Sequence, residues 1–167
     1  MVIRALKEMN QELAQEIVQR DDQVDTLERE VEKECISIIA RQQPVATDLR
    51  RVTSILRIVS DLERIADHCQ DISEYILLLA AEERVPSPAH VEEMVEKVRE
   101  MIRRTAEAFV NDNEDEARAV MASDDAVDDY FVQIRDELAV AMKHNPDRIK
   151  QYIDYLMIIK YLERMAD

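Results

Sequence analysis

Apolar residues in the first half of the chain recur every three or four positions, which is the spacing of one face of an α-helix. The pattern predicts one helix from Asn10 to about Gln42 and a second from about Val45 to Ala81, with Pro44 at the reversal between them. The second helix is apolar on nearly two faces, which is typical of a helix in the middle of a bundle. We therefore expect a long hairpin with a buried second member.

The second half of the chain predicts three further helices, after a linker at residues 85–88. They are expected at about His90–Val110, Glu114–Lys143 and Asp147 to the end. The chain contains no glycine, whereas a β-rich fold relies on glycine in its tight turns. An all-α fold is therefore predicted.

Two blocks of sequence occur twice in the same order. The block Asn10–Asp25 returns 103 positions later, with Asn113, Asp124 and Asp128 in place of Asn10, Asp21 and Asp25, and the block Leu62–Asp67 returns 100 positions later as Leu162–Asp167. The repeat predicts two units, at 1–84 and 85–167. By comparison of the two, the first unit lacks most of its leading helix and the last helix of the second is cut short. We therefore expect a core fragment.

The formal net charge of −15 over 167 residues argues against nucleic acid or an anionic membrane surface as the main partner, because both select basic patches. No apolar run approaches the length of a membrane span, and no signal peptide opens the chain. Cys35 and Cys69 match neither a zinc motif nor a disulfide framework. Reduced thiols in a cytoplasmic protein without direct membrane insertion are the expectation.

Acidic residues four positions apart, which share one helix face, occur twice in each repeat. Counted from the turn at Pro44, the pairs on the two helices of the first hairpin lie at equal distances, and the counts around Pro146 nearly match in the second. Because helices rise equally per residue, each repeat should bring four carboxylates to one height. The eight candidate ligands are Asp21, Asp25, Glu63, Asp67, Asp124, Asp128, Glu163 and Asp167.

Converging carboxylates need a counter-charge, and a metal cation is one solution. All eight ligands offer oxygen, which favours Mg²⁺, Mn²⁺, Ca²⁺ or iron over a structural zinc site. The alternative is that Arg64 and Arg164 neutralise the acids as ion pairs on the helix surface. Spacing alone leaves both open.

Catalysis is not expected. Carboxylate-bridged di-iron enzymes place Glu-x-x-His elements on two bundle helices, but His68 directly follows Asp67, and His90 and His144 lie near helix ends, where solvated histidines are common. The sequence shows neither a nucleophile–base pair nor a glycine loop that could hold phosphate.

The segment Arg41–Arg50, followed by Asp61–Asp67, closely resembles the first signature of the PhoU family, and Ile158–Asp167 resembles the second. The resemblance implies a tandem repeat of two three-helix bundles with multinuclear metal clusters, iron among them, held by acidic pairs that fall on the eight residues above. Similar proteins are negative regulators of phosphate uptake and phosphate-starvation signalling, and link the ATPase subunit of the phosphate ABC transporter to a sensor histidine kinase. Homodimers are common in the family. A PhoU-like domain of a phosphate transporter and a metal-free structural adaptor are the alternatives, and Zn²⁺ also stays open as the metal.

Overall fold

The computed structural model describes residues 1–83 and 85–167, and these residues contain helices but no β-strand. The all-α prediction is confirmed. The helices are α1 (Val2–Glu8), α2 (Gln11–Gln42), α3 (Ala46–Ala80), α4 (Val91–Val110), α5 (Glu114–Met121), α6 (Asp125–His144) and α7 (Ile149–Ala166), with a short 3₁₀ turn at Pro146–Arg148.

The sequence repeat is visible in how α2 and α5 begin. The side chain of Asn10 accepts a hydrogen bond of 3.1 Å from the backbone N–H of Leu13, and Asn113 accepts one of 3.1 Å from Glu116. An asparagine cap satisfies an N–H group that has no partner inside the helix, and is worth about 1 kcal/mol. The two repeats thus start their hairpins with the same local structure.

Three left-handed backbone positions end helices in this glycine-free chain. They are Met9, Gln43 and Asp112, with φ of 48°, 48° and 50°. Glycine usually takes this conformation after a helix, because a Cβ atom makes it cost roughly 1 kcal/mol. At Gln43 the backbone N–H donates to the carbonyl of Ile39 at 3.1 Å and closes α2. The predicted reversal beside Pro44 is therefore confirmed.

The predicted single helix Glu114–Lys143 is wrong, because turns at residues 122–124 divide it into α5 and α6. The Ser123 hydroxyl donates to the carbonyl of Val120 at 2.7 Å. Such a side-chain bond competes with the regular helical ladder. The matching position in the first repeat is Arg20, inside the continuous helix α2. Asp124 therefore lies at a helix start, whereas Asp21 lies within a helix.

Helix α1 lies before Asn10, where the apolar pattern marks no helix but the comparison of repeats leaves the end of a leading helix. Its seven residues bury Ala5 and Leu6 against α2 and α3. Seven residues hold too few apolar positions to establish a helical period, so the apolar pattern alone does not reveal this helix.

Helix α3 of the long hairpin packs against α7, and α4 packs against α5, α6 and α7. Helices α3 and α7 are antiparallel, since Gln151 at the start of α7 bonds to Glu83 just after α3, while Tyr161 near the other end of α7 lies against His68. The core between these helices contains Ile72, Ile76, Met94, Ile134, Leu138, Tyr155, Ile158 and Ile159.

The two repeats bury their matched apolar residues unequally. Leu162 of α7 is 2% exposed, whereas the matching Leu62 of α3 is 44% exposed. Ile158 is fully buried, while Ile58 is only half-buried. Helix α7 is enclosed by α3, α4 and α6, which accounts for the deeper burial of its residues.

The segment between α3 and α4 makes hydrogen bonds to residues of the second repeat near both of its ends. The side-chain amide of Gln151 donates to the backbone carbonyl of Glu83 at 2.8 Å, and Arg148 pairs with the Glu83 carboxylate. The backbone N–H of Ala89 donates to Glu137 at 2.9 Å. The predicted unit boundary, between 84 and 85, falls at Arg84, which lies outside the described residues, and it stays a prediction.

Both cysteines are free thiols; Cys35 is buried and Cys69 half-buried. Burial raises the pKa of the Cys69 thiol to about 11, so this thiol stays protonated at neutral pH. None of the helices in the described ranges combines the length and the apolar character that crossing a bilayer requires.

Asp154 on α7 is a carboxyl group placed in the core, 7% exposed. Burial raises its pKa, against the opposing effect of Lys150. Below the ordinary pKa of 3.8 both folded and unfolded chains carry it protonated. As the pH rises through the raised folded-state pKa, ionisation of this group lowers the free energy of unfolding.

We therefore expect Asp154→Asn to raise the free energy of unfolding at pH 7 by about 1 kcal/mol, because the amide keeps the shape of the side chain but removes a charge whose burial is unfavourable. Urea titrations at acidic and neutral pH would measure it. The difference in free energy of unfolding between Asp154→Asn and the parent should vanish at acidic pH, where Asp154 is protonated in both the folded and the unfolded chain. The exposed control Asp61→Asn should stay within about 0.5 kcal/mol, and an equal gain in the control would contradict the assignment to Asp154.

Candidate metal centre

Helices α2 and α3 bring three of the predicted ligands together. Asp21 and Asp25 lie one turn apart on α2, and Asp67 faces them from α3, with one carboxylate oxygen of each within 4.8 Å of the others. All three side chains are half-buried. The antiparallel hairpin thus places residues 23 before and 23 after Pro44 at one height, as the sequence predicted.

Glu63, the fourth predicted residue of this first cluster, lies at its edge. Burial raises the pKa of Glu63, and the charges of Asp67, Glu28, Asp25 and Asp21 raise it further. The pKa of Asp21 is likewise raised, first by burial and then by Asp67 and Asp25. These groups therefore lie close enough to oppose each other's ionisation.

Two acidic residues at this cluster were missed by the sequence analysis. Glu28 contributes to the raised pKa of Glu63, and Asp71 to that of Asp21. A spacing signal existed: Glu28 lies three residues after Asp25, and Asp71 lies four after Asp67. The comparison of repeats did not reveal them, because Glu28 matches Phe131 and the position that would match Asp71 lies beyond Asp167.

The second repeat forms a looser version of the same cluster. The pKa of Asp124 is raised by burial and then by the charges of Asp128, Asp167, Asp125 and Glu163. The predicted acids therefore share one region at the α6–α7 hairpin. Within residues 1–83 and 85–167, however, only the first cluster brings three carboxylate oxygens within 4.8 Å of one another. Asp128 and Asp167 are exposed.

The predicted counter-charges Arg64 and Arg164 form no ion pair in the described part of the chain. Other cations take this role. Arg29 binds Asp25 at 2.8 Å in the first cluster, and Lys160 binds Glu163 at 2.5 Å in the second. The ion-pair alternative therefore holds for one carboxylate of each cluster, with different partners from those expected.

The donor set of the first cluster fits a hard cation. Metal–oxygen bonds of 2.0–2.6 Å suit Mg²⁺ and Ca²⁺, and oxygens within 4.8 Å of one another are close to the spacing that one such ion needs. A divalent cation would also offset the repulsion that raises the pKa of Asp21 and Glu63. The residues that would hold it are Asp21, Asp25 and Asp67, with Glu63, Glu28 and Asp71 close by.

His68 lies at the border of the first carboxylate cluster, whereas His90 and His144 have partners elsewhere. His68 is buried against the ring of Tyr161, with Nδ1 3.6 Å from Asp71. His90 pairs with Glu137, and the Nδ1 atom of His144 lies 2.8 Å from the backbone carbonyl of Val140. The Glu-x-x-His pattern of carboxylate-bridged di-iron enzymes is thus matched neither by sequence nor by these contacts.

The model of the PhoU domain matches this sequence twice, at residues 1–76 and 91–167. The chain belongs to the PhoU family. Its similarity extends to the "Phosphate-specific transport system accessory protein PhoU homolog" of Clostridium acetobutylicum, 36% identical over 166 residues, with 99% of this chain and 76% of the relative covered. The homolog of the same name from Aquifex aeolicus is 37% identical, with 96% of this chain and 72% of the relative covered.

Solved PhoU structures share the fold. PhoU from Pseudomonas aeruginosa superposes with a TM-score of 0.95 at 32% identity, covering 99% of this chain and 80% of that one. The phosphate transport system regulatory protein PhoU from Streptococcus pneumoniae gives a TM-score of 0.90 at 29% identity, covering 99% and 78%. The tandem-repeat PhoU fold predicted from the sequence is confirmed. The PhoU relatives are named as accessory and regulatory proteins, in agreement with the prediction of a chain that is not an enzyme.

Proposed function

We propose that this PhoU-family chain is a negative regulator of phosphate uptake and of phosphate-starvation signalling. It would act as a helical adaptor in the cytoplasm, between the ATPase subunit of a phosphate ABC transporter and a sensor histidine kinase. The observation that carries the proposal is the match to phosphate-specific transport system accessory proteins over nearly the whole chain. The adaptor role and a homodimeric state are the finer parts of the proposal.

Metal binding is the second part of the proposal. A cation between α2 and α3 would cross-link the two helices of the hairpin and fix the surface that partners meet. The geometry that supports this is the approach of Asp21, Asp25 and Asp67. Iron is the metal we expect first, with Mg²⁺, Mn²⁺, Ca²⁺ or Zn²⁺ as the other candidates, and a metal-free adaptor as the competing hypothesis.

Regulation through partners, rather than by direct capture of phosphate, fits the charge of the surface. A groove of about 630 Å³ beside α6 is lined by Asp136, Glu137 and His90, and His90 is paired with Glu137. Two carboxylates disfavour a phosphate anion. We therefore expect the transport state of the ABC transporter to be the input. A PhoU-like domain attached to a transporter is the alternative, which partner capture would distinguish.

The test is complementation of a bacterium that lacks its own PhoU and carries a reporter of phosphate starvation. The native chain is expected to repress the reporter in phosphate-rich medium. Glu63→Gln combined with Asp67→Asn should lose bound metal, measured by inductively coupled plasma mass spectrometry, and should lose most of the repression. Glu107→Gln on the exposed face of α4 is the matched control and should keep both.

Each part of the proposal has its own contrary result. Full derepression with the native chain, at normal expression, would contradict the regulatory role. Repression without any bound metal, unchanged in the double variant, would contradict the metal part and leave a metal-free adaptor. Co-purification of the native chain with the ATPase subunit, but with no histidine kinase, would reduce the adaptor role to the transporter alone.

A further inference from the structure

The two acidic clusters differ at two positions of the sequence repeat. Where the first repeat has Ser60, the second has Lys160, and where the first repeat has Glu28, the second has Phe131. Ser60 and Lys160 are 100 positions apart, as Glu63 and Glu163 are, and Glu28 and Phe131 are 103 positions apart, as Asp25 and Asp128 are. In the second repeat a cation thus replaces a neutral residue, and an aromatic ring replaces a carboxylate.

The two replacements contact each other in the structure. The Lys160 ammonium lies 5.4 Å from the centre of the Phe131 ring and 2.5 Å from a carboxylate oxygen of Glu163. A ring face attracts an ammonium group, and the effect adds to the attraction of the carboxylate. The Glu163 side chain is 17% exposed and the Lys160 side chain 41% exposed, so water screens this pair less than it screens a fully exposed pair. Lys160 therefore occupies a carboxylate oxygen of Glu163 that a metal ion would otherwise bind.

The first cluster has no equivalent of this lysine. Ser60 is exposed and uncharged, and Glu28 adds a negative charge close to Glu63. Arg29 does pair with Asp25, but its side chain is 68% exposed. Exposed ion pairs contribute little, because water screens them and the long side chain loses freedom. Arg29 can turn away into solvent at little cost, whereas Lys160 is supported by Phe131.

We propose that Lys160 is a built-in counter-cation of the second cluster, so that this chain binds hard cations preferentially at the first cluster. The inference rests on the proposed metal binding and gives the two repeats different roles: the first hairpin is cross-linked by metal and the second by its own lysine. It also accounts for the looser arrangement of the second cluster, because Glu163 turns toward Lys160 and three carboxylate oxygens do not converge there.

The test isolates the second cluster by neutralising the first with Asp21→Asn and Asp67→Asn. Mn²⁺ binding to the purified, metal-free protein is measured by isothermal titration calorimetry. Adding Lys160→Met to this background should strengthen Mn²⁺ binding on the order of tenfold, because methionine keeps the contact with Phe131 but removes the charge. Lys160→Arg, which keeps the charge, should leave binding weak.

The reciprocal change grafts the lysine onto the first repeat. Ser60→Lys in the otherwise native chain places an ammonium three residues before Glu63, and should weaken Mn²⁺ binding at the first cluster on the order of tenfold. Arg29→Gln is the control for a solvent-exposed cation and should change the affinity less than about threefold. Circular dichroism would establish that each variant keeps its helical content.

The outcomes separate this inference from the proposed function. Equal Mn²⁺ affinity of the second cluster with Lys160, Met or Arg would overturn the role of Lys160, even where the first cluster binds metal. If the native chain binds no Mn²⁺ but Lys160→Met creates a site, metal binding at the first cluster fails and the role of Lys160 stands. Absence of binding in every variant overturns both.

Discussion

Ile158→Ala is expected to lower the free energy of unfolding by about 2–5 kcal/mol, the usual cost of removing a large aliphatic side chain from a closed core. Ile158 is fully buried on α7, where α3 covers it. The substitution leaves a cavity that rigid neighbours on both helices fill only in part. Equilibrium unfolding in urea, followed by circular dichroism at neutral pH, measures the loss.

The chain contains its own control for this substitution. Ile58 occupies the matching position on α3 and is only half-buried, so Ile58→Ala removes the same atoms without creating a closed cavity. We expect it to cost about 1 kcal/mol, in proportion to the apolar area that remains buried there. Equal losses for the two variants would contradict the unequal burial of the two repeats.

The helices were predictable because their signals are local. Asn10 and Asn113 cap helices, Pro44 marks a reversal, and apolar residues recur at helical spacing between these points. The same reasoning placed Asp21 and Asp67 at one height, because the rise per residue of two antiparallel helices is equal. Their convergence needed one more quantity, the rotation of each helix, which only side-chain packing determines.

The departures have equally specific causes. The break between α5 and α6 is accompanied by the hydrogen bond from the Ser123 hydroxyl to the carbonyl of Val120. A serine can sit inside a continuous helix or form such a bond at a helix end, so its presence in the sequence does not predict the break. Glu28 was overlooked because its counterpart is Phe131, so a search by repetition excludes it. Lys160 lies within the family signature, which gives no sign of its pairing with Glu163 or of its contact with the Phe131 ring. Individual side-chain contacts, which a pattern of apolar residues does not show, decide these features.

Metal binding at the first cluster should be visible as a change in stability. Adding Mn²⁺ to the metal-free protein at about a hundred times its Kd is expected to raise the free energy of unfolding by about 2.7 kcal/mol. For a chain of this size that corresponds to roughly 5–10 °C in melting temperature. Differential scanning calorimetry measures the shift, and a chelator should reverse it.

The pH dependence of the metal-free protein gives an independent test of the same cluster. The pKa values of Asp21 and Glu63 are raised, chiefly by burial and then by the neighbouring carboxylates. Below their ordinary values of 3.8 and 4.5, both groups are protonated in the folded and the unfolded chain. As the pH rises through the raised folded-state values, the folded protein binds more protons than the unfolded chain, and these two groups lower its stability.

Asp21→Asn with Glu63→Gln should therefore have opposite effects with and without metal. At neutral pH the metal-free variant is expected to melt at a higher temperature than the metal-free parent, because the repulsion is removed. With Mn²⁺ present the order reverses, because the variant has lost ligand oxygens that the cation requires. Subtracting the variant from the parent isolates these two groups from others, such as Glu96 and Glu116, whose pKa values are lowered by Lys7 and Arg104. A metal-free variant less stable than the metal-free parent would show that the carboxylates stabilise the hairpin through ion pairs. Equal stabilisation of the variant and the parent by Mn²⁺ would contradict a metal-supported cluster.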